Sequence, residues 1–528
     1  MEFTLAVVIC SILLYALRWN RNRSRPPLPP GPRKLPLIGN VFDMPTEREW
    51  ETFLKWSKQF KSDIIHLNAA GTSIVVLSSM EAVKELFEKR STLYSDRPRL
   101  PMLGELMGWD FATPFMKYGD RWRSHRKLFH GVFNAGAVEQ FQLQELAATH
   151  ELLRRLLRGP TDIMEDFRNL AGTIIMNITY GIDIHGADDK YIRIAKEAVE
   201  SISIASMPGT FLVDSIPALK YVPTWIPGAE FKRKAIEWKK IGQDLLQLPF
   251  IETKKNIATG TARTSFTSLN LRLFEDLTGI ELEAQEAVIK ATAATMYIGG
   301  ADSTVSAMGT FILAMLLNPE VQKKAQAEID SVVRPGQLPG FADKPTLPYV
   351  SAIVKEVLRW RNVTPLGFPH YIAVDDEYQG YRIPANSIVI GNAWAMLHDE
   401  VSLIIAYLFR ILPQCYDRTY IPIRTHSSLS AFCSVMENSI PPLEIQRPSH
   451  SGFGRRICPG RHMAVATLWI VVASILATFN IDKAIGEDGR EIEPTHEYSP
   501  GLISTPLPFK CSITPRSPQM VEVIQTTA

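Results

Sequence analysis

Phe453-Gly454-Arg455-Arg456-Ile457-Cys458-Pro459-Gly460-Arg461-His462 decides how this chain of 528 residues is read. A cysteine followed at once by Pro and Gly, with a Gly four residues before it, lies on a tight turn and not inside a regular element. Arg455, Arg456 and Arg461 surround its sulfur with positive charge. Such a field favours the thiolate, the form that binds metal or attacks carbon. An apolar helix is expected to follow over 464–479. The bland alternative is an inert buried cysteine, and the crowding of Gly, Arg and Pro speaks against it.

Composition bounds the rest. A hydrophobic content of 46% supports a sizeable core, and a net charge of +2 gives no bulk electrostatic case for nucleic acid. The five cysteines, Cys10, Cys415, Cys433, Cys458 and Cys511, are scattered and lack C-x-x-C spacing. This argues against a disulfide framework or a zinc cluster and for a reducing compartment.

Residues 3–17 are apolar apart from Thr4 and Ser11, and Arg18, Arg21, Arg23 and Arg25 follow. As a helix this run spans about 22 Å, short for a ~30 Å hydrocarbon core. With Trp19 added it suffices for a thin membrane such as the endoplasmic reticulum. The basic cluster after the run puts the body in the cytosol. A cleaved signal peptide would need a basic segment ahead of the run, and Glu2 stands there instead. The expected organisation is therefore a membrane anchor with basic flank over 1–25, a stiff proline-rich hinge over 26–33, and one domain over 34–528.

Within that domain, 64–67 and 73–77 alternate like a hairpin around Gly71, and Ser79 caps a helix expected to run to about 90. Helices are expected over 119–133, 142–157, 162–180, 190–203, 231–258, 281–317, 319–332 and 348–361. A turn over 380–384 joins two short strands. The fold class is mainly α with minor β.

Three further constellations carry chemistry. Gly299-Gly300-Ala301-Asp302-Ser303-Thr304 places two glycines, an acid and two hydroxyls inside a long apolar helix, where they are poor choices. The helix is expected to be distorted there, opening room for a small ligand and offering hydroxyls for proton transfer; a polar notch in a core helix is the alternative. Glu356 and Arg359 share a helix face three residues apart, which an exposed ion pair would also explain. Trp122 and Arg126 are neighbours four apart, where an arginine can reach a carboxylate or simply face water. The cysteine turn entering an apolar helix offers what an axial haem ligand needs.

The order of these segments along one chain resembles the cytochrome P450 family of haem-thiolate monooxygenases, in particular its microsomal, fungal-type members. A closer likeness, to fungal enzymes of the O-methylsterigmatocystin oxidoreductase kind, rests on Tyr94-Ser95-Asp96-Arg97-Pro98, Tyr118-Gly119-Asp120-Arg121-Trp122 and Leu248-Pro249-Phe250. The resemblance implies a single large P450-type helical domain. It makes Cys458 the metal ligand, the proximal thiolate on the iron of haem b. Trp122, Arg126, His370 and Arg456 match haem-holding positions, the last three on the propionates. Gly299 and Gly300 would form the oxygen groove, and Asp302, Ser303 and Thr304 would be the catalytic set that relays protons. The family usually has Thr where this chain has Ser303. Glu356 and Arg359 would be a structural pair behind the haem. The implied reaction hydroxylates a lipophilic small molecule of secondary metabolism with dioxygen. Electrons would come from NADPH through NADPH-cytochrome P450 reductase, docked on the face of Arg455 and Arg461, at the endoplasmic reticulum membrane. Loops carrying Phe111, Phe115, Phe211, Trp225, Leu366, Phe368 and Leu502 would choose the substrate. A haem-thiolate isomerase or dehydratase that needs no reductase is the second reading.

From Val401 the chain departs from the family. No Pro-x-Arg-Phe match exists over 401–451, and Ser451 stands where a phenylalanine is expected. Roughly 401–439 reads as translated intron, since a valine codon begins with the splice-donor dinucleotide, or else as a genuine insertion. Sequencing of mature message separates the two. Either way the arginine expected to complete the Glu356–Arg359 network is missing. A buried pair without its third member is destabilising, so the sequence leads to an expectation of poor haem binding, and to a third reading: the inactive product of a defective gene model.

Overall fold

The computed structural model describes residues 25–159, 162–186, 188–206, 209–399 and 451–527. The anchor expected over 1–25, apart from Arg25, and the atypical stretch over 401–451, apart from Ser451, lie outside the described residues. Helices of seven residues or more are α1 (Glu49–Phe60), α2 (Asp120–Phe133), α3 (Gln142–Leu157), α4 (Ile163–Tyr180), α5 (Lys190–Ala205), α6 (Glu230–Ala258), α7 (Phe266–Arg272), α8 (Gly279–Leu317), α9 (Pro319–Val332), α10 (Pro348–Trp360), α11 (Arg461–Thr478) and α12 (Pro518–Gln525). The eight helices expected between 119 and 361 each begin and end within two residues of the expectation. Local chemistry sets those ends. The Asp162 carboxylate accepts from the Met164 N–H at 2.9 Å to open α4, and Gly181, at φ +68°, closes it in the left-handed region. Prolines at the first positions of α9 and α10 cost no hydrogen bond there.

The core is built around α8 and α11. Each holds an 18-residue stretch apolar enough to cross a membrane, with mean hydropathy 1.4 and 1.5, yet 72% of that stretch is buried inside the protein. These stretches are core helix, apolar all round because neighbours cover them. Their hydroxyls turn inward on the backbone: Thr295 donates to Ala291 O at 2.8 Å and Thr478 to Ser474 O at 2.7 Å. Helix α8 alone, at 1.5 Å per residue, is about 58 Å long. It packs on α4, α5 and α11.

The main sheet runs β1 (Ile64–Ala69), β2 (Thr72–Leu77), β6 (Ser387–Gly391), β3 (His370–Ile372) in spatial order. The β1–β2 and β3–β6 pairs are antiparallel and β2–β6 is parallel. Gly71 turns the hairpin at φ +92°. Side chains alternate as the pleat requires. Val75 and Leu77 pack with Phe87, Val389 and Phe453, while Ile74 and Val76 pack with Phe53, Leu67 and Ile390. The expected turn over 380–384 joins β4 (Asp376–Tyr378) to β5 (Tyr381–Ile383), and β7 (Phe479–Lys483) pairs with β8 (Cys511–Pro515).

Two expectations are corrected. The helix that Ser79 caps is α-helical only over Met80–Val83 and widens to a π-turn over Lys84–Lys89. Helix α8 stays α-helical through Gly299–Thr304 without a break or bulge. The proline-rich segment is tied to the body: Arg382 N–H donates to Pro27 O at 2.8 Å and His66 N–H to Pro30 O at 3.0 Å. A Cβ on Gly31 would lie 2.3 Å from His66 O, so a larger residue would lift the segment off the sheet.

Candidate active site

Gly454 explains the turn that carries Cys458. It sits at φ +54°, and a Cβ there would lie 2.1 Å from the carbonyl oxygen of Phe87. Only glycine lets this turn approach the π-turn so closely. Phe453 is buried beside Phe87, and Cys458 N–H donates to Ser451 O at 2.8 Å. The loop is thus closed just before α11, with the sulfur facing a cavity of about 360 Å³. The thiol is open to that cavity, while protein atoms enclose it on the other sides.

The cavity gathers nearly every residue singled out above. Trp122, Arg126, Gly299, Gly300, Ser303, Thr304, His370, Arg456 and Cys458 all line it. Asp302 does not. Residues on a helix advance about 100° each, so if 299, 300, 303 and 304 face one side, 302 faces away. Its carboxylate stands 3.8 Å from Arg168, in a separate hollow of about 10 Å³ that also holds Lys196 and Tyr297. Burial raises its pKa; Arg168 and Lys196 oppose that, and Glu165 adds to it. Asp302 therefore cannot hand a proton directly into the cavity as a member of the same wall.

Polarity divides the lining in two. Toward Cys458 lie Arg97, Arg126, Arg456, Arg461 and His370, and none of the described lining residues is acidic. Arg456 donates to Ser95 O at 2.7 Å, Thr113 O at 3.3 Å and Met116 O at 2.8 Å, with its guanidinium 4.6 Å from the Trp122 ring centre. Arg97, 6% exposed, donates to Pro114, Phe368 and Pro369 carbonyls at 2.7–2.9 Å. Burial lowers the pKa of Arg97 far below the usual value, and the Arg456 charge lowers it further. Burial likewise pulls Arg456 down to about 10. The Arg126 guanidinium, also lowered by burial, has no hydrogen-bond partner among the described residues, nor has the Trp122 indole N–H.

Such a surplus of buried cations wants an anion. A flat group bearing two carboxylates and an iron within reach of Cys458 suits these residues, so they fit haem. Arg97 was given no site role in the sequence, where Tyr94-Ser95-Asp96-Arg97-Pro98 carried only a family likeness; nothing local marks it as buried. His370 stacks on Phe87 at 3.9 Å and donates from Nδ1 to Tyr94 O at 2.7 Å. Burial, then Arg97, push its pKa well below the ordinary value, so it is neutral and its Nε2 is an acceptor. It can bind a carboxylate only by taking up a second proton, which the carboxylate itself would favour.

The electrostatics of Cys458 also differ from expectation. Arg455 is drawn to the Tyr118 hydroxyl and Arg456 to backbone carbonyls. Burial pushes the Cys458 thiol up; the N–H of Gly460, Arg126, Arg461 and the N–H of Arg461 pull it down. The arginines do not make a thiolate by themselves, and metal coordination is what deprotonates such a thiol.

On the opposite side, Gly299 opens to the cavity, with nothing within 4 Å of a Cβ placed on it. Gly300 instead accommodates Ile175, 2.9 Å from such a Cβ. Ser303 Oγ donates to Gly299 O at 2.8 Å. Around them are Ile174, Ile202, Phe115, Leu366 and Leu502.

Glu356 and Arg359 lie outside the lining, joined by bonds of 2.6 and 2.8 Å, and Arg359 also donates to Leu397 O at 3.0 Å. The Arg359 side chain is 20% exposed and that of Glu356 60%, so the described residues alone do not bury the pair. The stretch that would supply that member lies outside the described residues.

Comparison with known proteins agrees with this geometry. The cytochrome P450 family profile matches residues 29–401, ending where the chain departs from the expected pattern. The chain is 46% identical over 502 residues to cytochrome P450 monooxygenase 98 of Postia placenta, covering 94% of this chain and 92% of the relative. It is 42% identical over 500 residues to cytochrome P450 monooxygenase ple1 of Rhodocybe pseudopiperita, covering 94% and 91%. It is 38% identical over 522 residues to the tryptamine 4-monooxygenase of Psilocybe cyanescens, covering 98% of each. With a fungal kinship of that extent behind the cysteine turn and its cavity, the chain belongs to the cytochrome P450 family of monooxygenases.

Proposed function

We propose that this protein is a membrane-anchored, haem b-dependent monooxygenase. It would hydroxylate a lipophilic small molecule with dioxygen and electrons passed from NADPH by a cytochrome P450 reductase, on the cytosolic face of the endoplasmic reticulum. The observation that carries this reading is one cavity with Cys458 and unpaired cations on one wall, and hydroxyls among apolar side chains on the other. Haem, when bound, supplies oxygen activation, which thiolate ligation favours. Cys458 would be its axial ligand, and Arg97, Arg126, Arg456 and His370 would hold its propionates.

The chain's own residues orient and protect. Aliphatic and aromatic side chains exclude water from the distal side and press the substrate into position. Ser303, whose hydroxyl now donates to Gly299 O, is free to accept a proton at Oγ and to turn toward the cavity. Thr304 offers a second hydroxyl beside it. Asp302 would act only from behind the helix, through Ser303 or Thr304. The Arg168–Asp302 contact of 3.8 Å is loose enough for water to enter.

The isomerase or dehydratase reading, and that of an inactive gene product, are not favoured, since the relatives named above are monooxygenases. The test is turnover of purified full-length chain with reductase, NADPH and isotope-labelled dioxygen. One labelled oxygen atom in each product molecule is expected; product formed without NADPH would make the isomerase reading correct.

A further inference from the structure

Three hydroxyls on α8 are spent on their own helix. Thr292, Thr295 and Ser303 donate to the carbonyls one turn back, at Val288, Ala291 and Gly299. Ser306 and Thr310, one turn apart on a single face, reach outward instead. Ser306 Oγ donates to Ser504 O at 2.6 Å, 198 residues further along the chain, and the Thr310 and Tyr498 hydroxyls share a hydrogen bond of 3.2 Å. Both α8 residues are fully buried, and neither they nor their two partners line the cavity.

The segment they hold is a closed hairpin. Ser499 N–H donates to Thr505 O at 2.8 Å, Thr505 N–H to Ser499 Oγ at 2.9 Å and Leu507 N–H to Glu497 O at 2.9 Å. Its base lies against α8, where Pro506 stands 3.4 Å from a Cβ placed on Gly309, and the Arg361 guanidinium is 4.9 Å from the Tyr498 ring centre. Its tip carries Leu502 and Ile503, which line the cavity. Beside them Ser504 N–H donates to Val363 O at 2.8 Å, in the loop that adds Leu366 and Phe368 to the same lining. Cross-bonded in this way the hairpin has little freedom of its own. How far its tip projects is then set by the ties behind the lining.

We propose that Ser306 is a positioning residue for specificity. Through Ser504 it holds the 497–507 hairpin against α8 and so fixes the room that Leu502 and Ile503 leave for the substrate. This rests on the monooxygenase reading and names what limits substrate size at that site. Ser306 does not meet the substrate itself. Its loss would leave a buried carbonyl unpaired and let the tip draw back.

Imidazole and 4-(biphenyl-4-yl)imidazole measure that room. Each anchors a nitrogen on the haem iron, so the biphenyl arm reports the space beyond it. Affinities are read from the shift of the haem spectrum of the full, haem-loaded chain. In Ser306→Ala the affinity for imidazole should stay within about twofold, while that for the biphenyl ligand rises about fivefold, the scale of one hydrogen bond. Leu502→Ala, which trims the tip, should raise the same ratio. The two changes together should give less than the product of their separate effects, because both act through one wall. Tyr498→Phe should raise the ratio by less. Thr478→Val removes a buried hydroxyl that bonds within α11, and should leave the ratio unchanged.

An unchanged or lowered ratio in Ser306→Ala overturns the proposal. So does an equal rise in Thr478→Val, which would mark general loosening, or a fully multiplicative effect in the Ser306→Ala/Leu502→Ala pair. If Ser306→Ala retains no haem, the ratio in Tyr498→Phe decides in its place. A wild-type chain without the reduced, CO-bound haem band would instead remove the monooxygenase reading itself.

Discussion

The two walls of the cavity obey different rules. Around Cys458, guanidinium groups and an imidazole are buried in fixed positions, and Arg97 and Arg456 are held by backbone carbonyls from distant segments. Across from them, α8 and the loops near Thr364 and Leu502 offer small, apolar and hydroxyl groups with few polar ties. Many bonds to distant backbone make the first wall intolerant of change, because each lost donor leaves a buried carbonyl unpaired. The second wall can change with little cost to the fold. A framework of this kind keeps its cofactor chemistry while the substrate varies.

The severest way to break the contrast is on the cationic wall. Arg456→Leu strands the Ser95, Thr113 and Met116 carbonyls and removes a cation proposed to hold a propionate. The expected result is roughly 4 kcal/mol or more of lost stability and a haem-to-protein ratio near background, checked by thermal unfolding and pigment analysis. Gly454→Ala comes next. Its methyl group meets Phe87 O at φ +54°, and roughly 3 kcal/mol should be lost, seen as a lower Tm with weakened haem retention.

On the other wall, Ser303→Ala with Thr304→Val should leave stability and haem content nearly unchanged. Product formed per NADPH consumed should fall on the order of 10²-fold. If haem content falls with it, the two walls are not separable in the way described.

Beneath the cationic wall, Glu145 sharpens the comparison through pH. It is fully buried, accepts from Thr467 at 2.5 Å, and has its second oxygen unpaired. Burial raises its pKa from 4.5 to about 7, against the opposing pull of Thr467 and Lys344. The native state therefore binds this proton more tightly than the unfolded chain. Its stabilising effect is full below about pH 4.5 and is lost as pH climbs through about 7. Glu145→Gln should raise stability at pH 8 by roughly 2 kcal/mol and flatten this part of the pH profile, measured by denaturant titration. The smallest effect is expected at Glu356→Gln, under about 1 kcal/mol, because that carboxylate is mostly in water.

Much of this architecture was readable in the amino acids. Caps such as Asp162, prolines at helix starts and sustained apolar periodicity located eight helices, because those signals are local. The cavity residues Trp122, Arg126, Ser303, His370, Arg456 and Cys458 were also legible, through motifs whose order along the chain matched the family. Arg97 was not, since its burial depends on carbonyls at 368 and 369, far along the chain. The direction of Asp302 was misjudged: its neighbours suggested a shared site, and only the 100° step of the helix separates it from Ser303. The thiolate field around Cys458 was overestimated because two of the three flanking arginines spend their charge elsewhere. The docked proline segment was hidden for the same reason as Arg97, as its partners His66 and Arg382 are remote in sequence.

The central claim is that Cys458, on its glycine turn, ligates haem in this chain despite the unusual sequence over 401–450. The reduced, CO-bound absorption spectrum of the purified full-length protein tests it most directly. The account predicts the red-shifted band of a thiolate-ligated haem, at one haem per chain, and its disappearance in Cys458→Ser with the protein still folded. A folded wild-type chain that takes up no haem, or a band that survives the loss of Cys458, would contradict it.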